Sequence, residues 1–183
     1  MLFRSLSDSL TSLTSIFTSL KLSKGVDPAC HIFVTGENEM YALVAERRGT
    51  TQMRTYSSIT KYIPKLNRWE DVSSFDWDSR RGICIINKDN FVYFLGGKWR
   101  FSCLRDAYRY DLTANKWEKI AEMKEERSEA QGAVAHGKVF VIGGIGTPSD
   151  DKLCEVYNET TEDRKSTRLN SSHLKLSRMP SSA

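Results

Sequence analysis

An all-β chain built of repeated four-stranded units is what the sequence predicts, on three observations. First, KYIPKLNRWEDV (61–72) lies over RYDLTANKWEKI (109–120) at an offset of 48, which places Tyr62 on Tyr110 and Trp69 on Trp117. Second, VYFLGG (92–97) lies over VFVIGG (139–144) at an offset of 47, and Tyr110 meets Tyr157 at that same offset. Third, the segments between these landmarks are short β-branched and aromatic runs separated by polar turn sequences, which is the patterning of strands and hairpins. Strands repeating about every 50 residues point to propeller blades. The predicted fold is therefore a partial β-propeller, two blades and an incomplete third, with four antiparallel strands per blade.

The elements follow in order. GICII (82–86) and VYFLGG form a hairpin around the polar turn NKDN. DAYRYDL alternates, with Ala107 and Arg109 on one face and Tyr108 and Tyr110 on the other. KWEKIAEM supplies a fourth strand after the turn TAN, and GAVAHGKVFVIGG repeats the first hairpin with a tighter turn at His136-Gly137. Glycine pairs ending the second strand permit backbone conformations and close approaches that a Cβ would block. A tyrosine and a tryptophan seven positions apart bring large flat surfaces suited to packing between neighbouring blades.

With these residues in place, the units resemble Kelch repeats, whose signature is a double glycine, a Tyr-Asp pair and a tryptophan. The second unit carries Gly96-Gly97, Tyr110-Asp111 and Trp117, followed by Met123 and Arg127. The first keeps Gly36, Tyr62 and Trp69, with Thr35 before the glycine and an insertion between Glu37 and Ser58. The third keeps Gly143-Gly144 and Tyr157, with Asn158 in place of the aspartate. The likeness covers residues 31 to 162 and is nearest to the propellers of BTB-Kelch (Kelch-like) proteins. It implies a non-enzymatic, cytoplasmic protein-interaction module without a cofactor. The parent protein would be a substrate-recognition adaptor of a cullin-RING ubiquitin ligase, with a protein substrate held by propeller loops. A Kelch scaffold binding actin or cytoskeleton is the alternative, and a Kelch-fold copper oxidase a third reading. In that family a BTB domain recruits the cullin; neither BTB nor BACK fits this chain, so cullin contact is expected only through a BTB domain that the chain lacks.

Composition narrows the classes further. The net charge of +4 is carried entirely by the residues from Asp163 onward, and the rest of the chain balances acids against bases. The body thus has no electrostatic bias towards nucleic acid. The sequence contains no run of 18 apolar residues, so no membrane partner is expected. The four cysteines, Cys30, Cys84, Cys103 and Cys154, lie far apart without a CxxC pair, which argues for free, buried thiols and against zinc. Neither His31 nor His136 has a ligand neighbour at metal spacing. GGIGTPSDD lacks the GK[ST] ending of a phosphate loop and reads as a blade loop. Asn158-Glu159-Thr160 is a glycosylation sequon, informative only in a secreted chain.

No catalytic set emerges, and binding surface remains. Loops on a rigid scaffold carry recognition, and the candidates are 98–105, 145–152 and the first-unit insertion. Trp99, Arg100, Phe101 and Arg105 are residue types enriched at interface hot spots; packing of Trp99 and Phe101 against a neighbouring blade is the competing reading. Arg80 and Arg127 resemble positions that face the channel mouth in Kelch-like propellers.

The ends complete the organisation. Residues 1–27 carry Leu2, Leu6, Leu10, Leu13, Phe17 and Leu20 at steps of three and four, and read as a linker or a non-native segment. Residues 28–162 form the partial propeller. At 164, seven residues after Tyr157, the repeat calls for tryptophan and Arg164 stands there. DRKSTRLNSSH back-translates without conflict to a common sequencing-library adapter, and SRMPSSA to its continuation. Residues 163–183 are therefore expected to be translated adapter and disordered, with the third blade cut before its last strand. Open blades leave unpaired edges and an uncovered face that favour aggregation, so the chain expressed alone is expected to be poorly soluble.

Overall fold

The computed structural model describes residues 30–35, 37–48, 54–77, 80–146 and 153–168. They form three four-stranded antiparallel sheets, each a blade whose strands are neighbours in chain order. Blade one is β1 (Cys30–Val34), β2 (Met40–Arg48), β3 (Arg54–Ile63) and β4 (Arg68–Phe75). Blade two starts with β5 (Cys84–Lys88) and β6 (Phe91–Leu95). A small hairpin of β7 (Lys98–Trp99) and β8 (Ser102–Cys103) follows, and β9 (Ala107–Asp111) and β10 (Lys116–Lys119) complete the blade. Blade three is β11 (Gln131–Ala135), β12 (Lys138–Ile142), β13 (Leu153–Asn158) and β14 (Asp163–Arg168). The four-stranded blades and the strand repeat predicted from sequence are thus present.

Two differences from the sequence reading have physical causes. The first-unit insertion is an extended hairpin: β2 and β3 pair continuously from Tyr41↔Lys61 to Arg48↔Arg54. Leu43, Val44, Thr55, Tyr56 and Ile59 suit a pleated surface better than a loop, and only 49–53 of this stretch falls outside the described residues. The second difference is β14. Residues 163–168 were expected to be disordered, yet they pair with β13 from Asn158↔Asp163 to Leu153↔Arg168. An edge of unpaired N–H and C=O groups on β13 accepts almost any backbone that follows a tight turn, whatever its side chains. Gly36, residues 1–27 and residues 169–183 lie outside the described residues.

The core lies between the blades. Along β6, Val92 and Phe94 face blade one, where they join Phe33, Tyr41, Leu43, Ile59 and Trp77. The alternate residues Tyr93 and Leu95 face blade three, against Val139, Val141 and Tyr157. A strand covered on both faces has no polar side, which is why FVYFL shows no alternation in its sequence.

The repeat's signature residues shape its turns. Asp111 Oδ1 accepts hydrogen bonds from the Thr113 and Ala114 amides at 2.8 and 2.9 Å, closing the turn into β10. Asn158 keeps that role in blade three, its Oδ1 accepting from the Thr160 amide at 3.1 Å, so the departure from aspartate is harmless locally. The Tyr110 hydroxyl donates to Asn115 Oδ1 at 3.1 Å, and the Tyr62 hydroxyl to Asn67 Oδ1 at 2.8 Å. Both asparagines hold the left-handed conformation that ends the turn, with φ of 51° and 46°. The His136-Gly137 turn has positive φ at both residues, as a two-residue hairpin of the primed type requires.

The glycine pair acts differently in blades two and three. Gly96 has φ +62°, and a Cβ there would collide with the Arg127 carbonyl and the Met123 methyl. Gly143 has φ +68° with nothing within 4 Å of its missing Cβ. Gly143→Ala is expected to cost only left-handed strain, about 1–2 kcal/mol. Gly96→Ala should add overpacking of about 2 kcal/mol to that. Paired urea melts of the two variants check the difference; equal losses would mean that close approach at Gly96 is unimportant.

Candidate protein-binding rim

Strand direction divides the loops between two rims. The β5–β6, β9–β10 and β11–β12 turns gather at one rim, and the described residues 80–83, 96–106, 120–130 and 143–146 of the connections at the other; residues 147–152 of the candidate loop 145–152 lie outside the described residues. This second rim is laced together by backbone pairing. Arg81 bridges Lys98, Leu104 bridges Arg127, and Ser128 bridges Ile145. Each connection thereby holds the next, so the loops are fixed to one another as well as to their strands.

From that laced rim the β7–β8 hairpin projects. Its register pairs Lys98 with Cys103 and Trp99 with Ser102, leaving Arg100 and Phe101 as its two-residue tip. Arg100 is held in the left-handed region at φ 53°, uncommon for a non-glycine residue. Its guanidinium lies 4.7 Å from the Trp99 ring centroid, a cation–π contact that orders the tip. Phe101 is 96% exposed. Packing of Phe101 against a neighbouring blade is therefore not what this fold does with it; Trp99 is half-buried beneath Arg100. Arg105 is exposed at the base of the connection and pairs with Glu122 at 3.0 Å. Lys98, Arg100 and Arg105 give this edge of the rim positive charge beside an apolar ring.

Arg80 and Arg127, which resemble channel-mouth positions, are both buried. Arg80 is 7% exposed, donates to Asp106 Oδ2 at 2.7 Å and covers the Trp77 ring at 4.2 Å. Arg127 is 1% exposed, spanning Glu155 at 3.2 Å and the Gly143 carbonyl at 2.7 Å. Glu155 also accepts the Lys124 and Glu125 amides at 2.8 and 3.1 Å. The long connection into blade three is thus clamped onto β13 by a buried ion pair. Sequence reasoning missed Glu155; its one signal is an acid two places before Tyr157, hence on the same inward face of a strand.

A second link between blades sits at the opposite rim, where Lys88 pairs with Glu159 at 2.8 Å and the Tyr93 hydroxyl donates to the same carboxylate. Cys84 and Cys154 are buried free thiols and Cys103 is half-buried. Burial pushes the Cys84 thiol up to about 11, so it stays protonated and unreactive at neutral pH. Burial also lowers His31 below the ordinary histidine range, opposed in part by its hydrogen bond to the Arg80 carbonyl. Among the described residues, no group of three His, Cys, Asp or Glu is gathered as a metal set.

The tyrosine and tryptophan positions of the repeat are paired in the same way in all three blades. Trp69 lies across from Tyr62, Trp117 across from Tyr110, and Arg164 across from Tyr157. In the second blade Trp117 stacks on Phe75 of blade one, with ring centroids 5.0 Å apart.

Known proteins show the same repeats. Residues 92–124 match the Kelch motif. The chain is 27% identical over 137 residues to Kelch-like protein 15 of Homo sapiens, covering 74% of this chain and 22% of that protein. Kelch-like protein 41a of Danio rerio is 24% identical over 132 residues, covering 72% and 22%. Kelch repeat protein C2 of Vaccinia virus (strain Western Reserve) is 30% identical over 89 residues, covering 49% and 17%. The chain thus spans 22% of the length of these two Kelch-like relatives. Among solved structures, a fungal alcohol oxidase of the AA5 family, in complex with copper, superposes with a TM-score of 0.55 at 18% identity. That match covers 75% of this chain and 30% of the oxidase, and it shows a shared fold alone.

Proposed function

We propose that this chain, a Kelch-repeat fragment similar to the Kelch-like proteins, binds a protein partner through the rim that carries the β7–β8 hairpin. The parent would act as a substrate adaptor of a cullin-RING ubiquitin ligase in the cytoplasm, its cullin contact made through a BTB domain. One observation carries the binding reading: a phenylalanine exposed to 96% stands at the tip of a hairpin that is otherwise ordered. A free Phe ring in water forgoes roughly 2 kcal/mol of burial, and here Arg100 stacking on Trp99 holds its neighbour in place. Rigid aromatic and arginine side chains at a raised point are what anchors an interface. The described residues include no helix long and apolar enough to cross a membrane.

The test is photo-crosslinking from position 101 in the parent protein, followed by affinity measurement with the captured partner. Phe101→Ala is expected to weaken binding roughly 30-fold, as a loss of about 2 kcal/mol at a hot spot requires. Leu66→Ala, an exposed apolar residue in a turn of the opposite rim, should leave affinity unchanged. Equal affinity in both variants would sink the assignment of this rim.

A further inference from the structure

The β7–β8 hairpin carries a single hydroxyl, Ser102, which opens β8 and is exposed. Around it the segment KWRFSCLR (98–105) places Lys98 four positions before, Arg100 two before and Arg105 three after, with no acid among them. Ser74, also exposed, stands between Asp71 and Asp76 instead. Kinases read such charge patterns in their substrates. The hairpin rises from the middle blade, which packs on a described blade at either side. Its ladder has only two pairs, Lys98↔Cys103 and Trp99↔Ser102. Local opening therefore breaks few hydrogen bonds and presents 98–105 as an extended strand.

The register also fixes what a group added to Ser102 meets. Residues directly opposite in an antiparallel pair share a face, with Cβ atoms about 5 Å apart. Ser102 thus stands on the side of the hairpin that carries the Trp99 ring, and the Arg100 guanidinium lies over that ring at 4.7 Å. A phosphate on Ser102 has this guanidinium within side-chain reach, the geometry of a charge-assisted hydrogen bond.

We propose that Ser102 is a phosphorylation site for a kinase that selects basic residues, and that Arg100 holds the phosphate. ATP is the donor. Ser102 Oγ attacks the γ-phosphorus and its proton passes to the kinase's base; the bond from that phosphorus to the bridging oxygen breaks, and ADP leaves. The added charge of about −2 sets a hydrated dianion beside Phe101, on an edge that otherwise carries Lys98, Arg100 and Arg105. A partner that buries the Phe101 ring must then desolvate that dianion, so phosphorylation releases the partner. This consequence rests on the binding proposal above; the modification itself does not.

The test incubates the parent protein with ATP and a basic-directed kinase (cyclic-AMP-dependent kinase or protein kinase C) or an acid-directed casein kinase, then maps phosphate by mass spectrometry. Phosphate is expected on Ser102 with a basic-directed kinase and not with casein kinase. Mapping also separates Ser102 from Ser166, which has Arg164, Lys165 and Arg168 beside it. In phosphorus NMR the Ser102 phosphate should titrate below the roughly 6 of a free phosphoserine, and Arg100→Gln should restore that value. No phosphate on Ser102, equal labelling by casein kinase, or a titration that Arg100→Gln leaves unchanged would overturn the proposal. For the release, phosphorylation should weaken affinity for the partner captured at position 101 roughly tenfold, and Ser102→Ala should keep its affinity through kinase treatment. An affinity that Phe101→Ala lowers and phosphorylation does not would overturn the release alone. If neither lowers it, the binding proposal fails, and the mapping and titration still decide the modification.

Discussion

Glu155→Ala is expected to cost about 3–5 kcal/mol, the penalty for leaving one partner of a buried ion pair alone. Arg127 is 1% exposed and cannot recover water by turning outward. The same carboxylate terminates the Lys124 and Glu125 amides, so its removal strands backbone donors as well as the guanidinium. The effect should be felt on blade three: hydrogen exchange should accelerate across β11–β14 before it does across blade one. Replacing both partners together, Arg127→Met with Glu155→Leu, should recover most of the loss, because an apolar pair of similar volume avoids the uncompensated charge. An unchanged urea midpoint in Glu155→Ala would show that the clamp is not a structural requirement.

The opposite sign is expected for Arg164→Trp, a gain of about 2–4 kcal/mol in unfolding free energy. Arg164 sits in the cross-strand place that Trp69 and Trp117 hold in the other blades. Its guanidinium carbon lies 4.8 Å from the Tyr157 ring, where Trp117 lies 5.0 Å from Tyr110. The side chain is 2% exposed, its Nε donating to the Ala121 carbonyl at 2.5 Å. Nη1 and Nη2 have no hydrogen-bond partner among the described residues. Burial pushes its pKa down from the ordinary arginine value to about 10. The folded value lies below the unfolded one, so the penalty is present in full at neutral pH and is relieved only as pH rises through about 10. An indole fills the same slot with no charge to desolvate. Thermal melts of the two proteins side by side measure the change. A lower or unchanged midpoint would mean that the slot is not built for an aromatic ring.

The misfit bears on the proposed origin of residues 163–183. A guanidinium with two idle nitrogens in an indole slot is what a foreign residue in a repeat position produces. It supports the proposal that residues 163–183 are translated adapter. Resequencing the source cDNA by a different library chemistry should then read a tryptophan codon at 164, followed by further glycine-pair repeats. Persistence of RKSTRLNSSH in genomic DNA would overturn that proposal.

The sequence by itself determined the strand repeat and its period, because Tyr-Asn-Trp spacing and glycine pairs act within a few residues of one another. Tyr110 to Asn115 and Asp111 to Thr113 are contacts inside single turns, and alternation along DAYRYDL needs no knowledge of neighbours. It also marked position 164 as the break in the pattern. What only the tertiary structure decided depends on groups far apart along the chain. Whether Phe101 is buried or free, whether Arg127 meets solvent or Glu155, and which face of each blade is covered are settled by how one sheet stacks on the next. Burial on both sides erases the polar–apolar alternation by which a sequence announces its inner face, as in FVYFL. Backbone pairing is indifferent to side chains, so Asp163–Arg168 forms a strand despite carrying no strand pattern. Only the packed slot around Arg164 shows the physical cost of the side chain placed there.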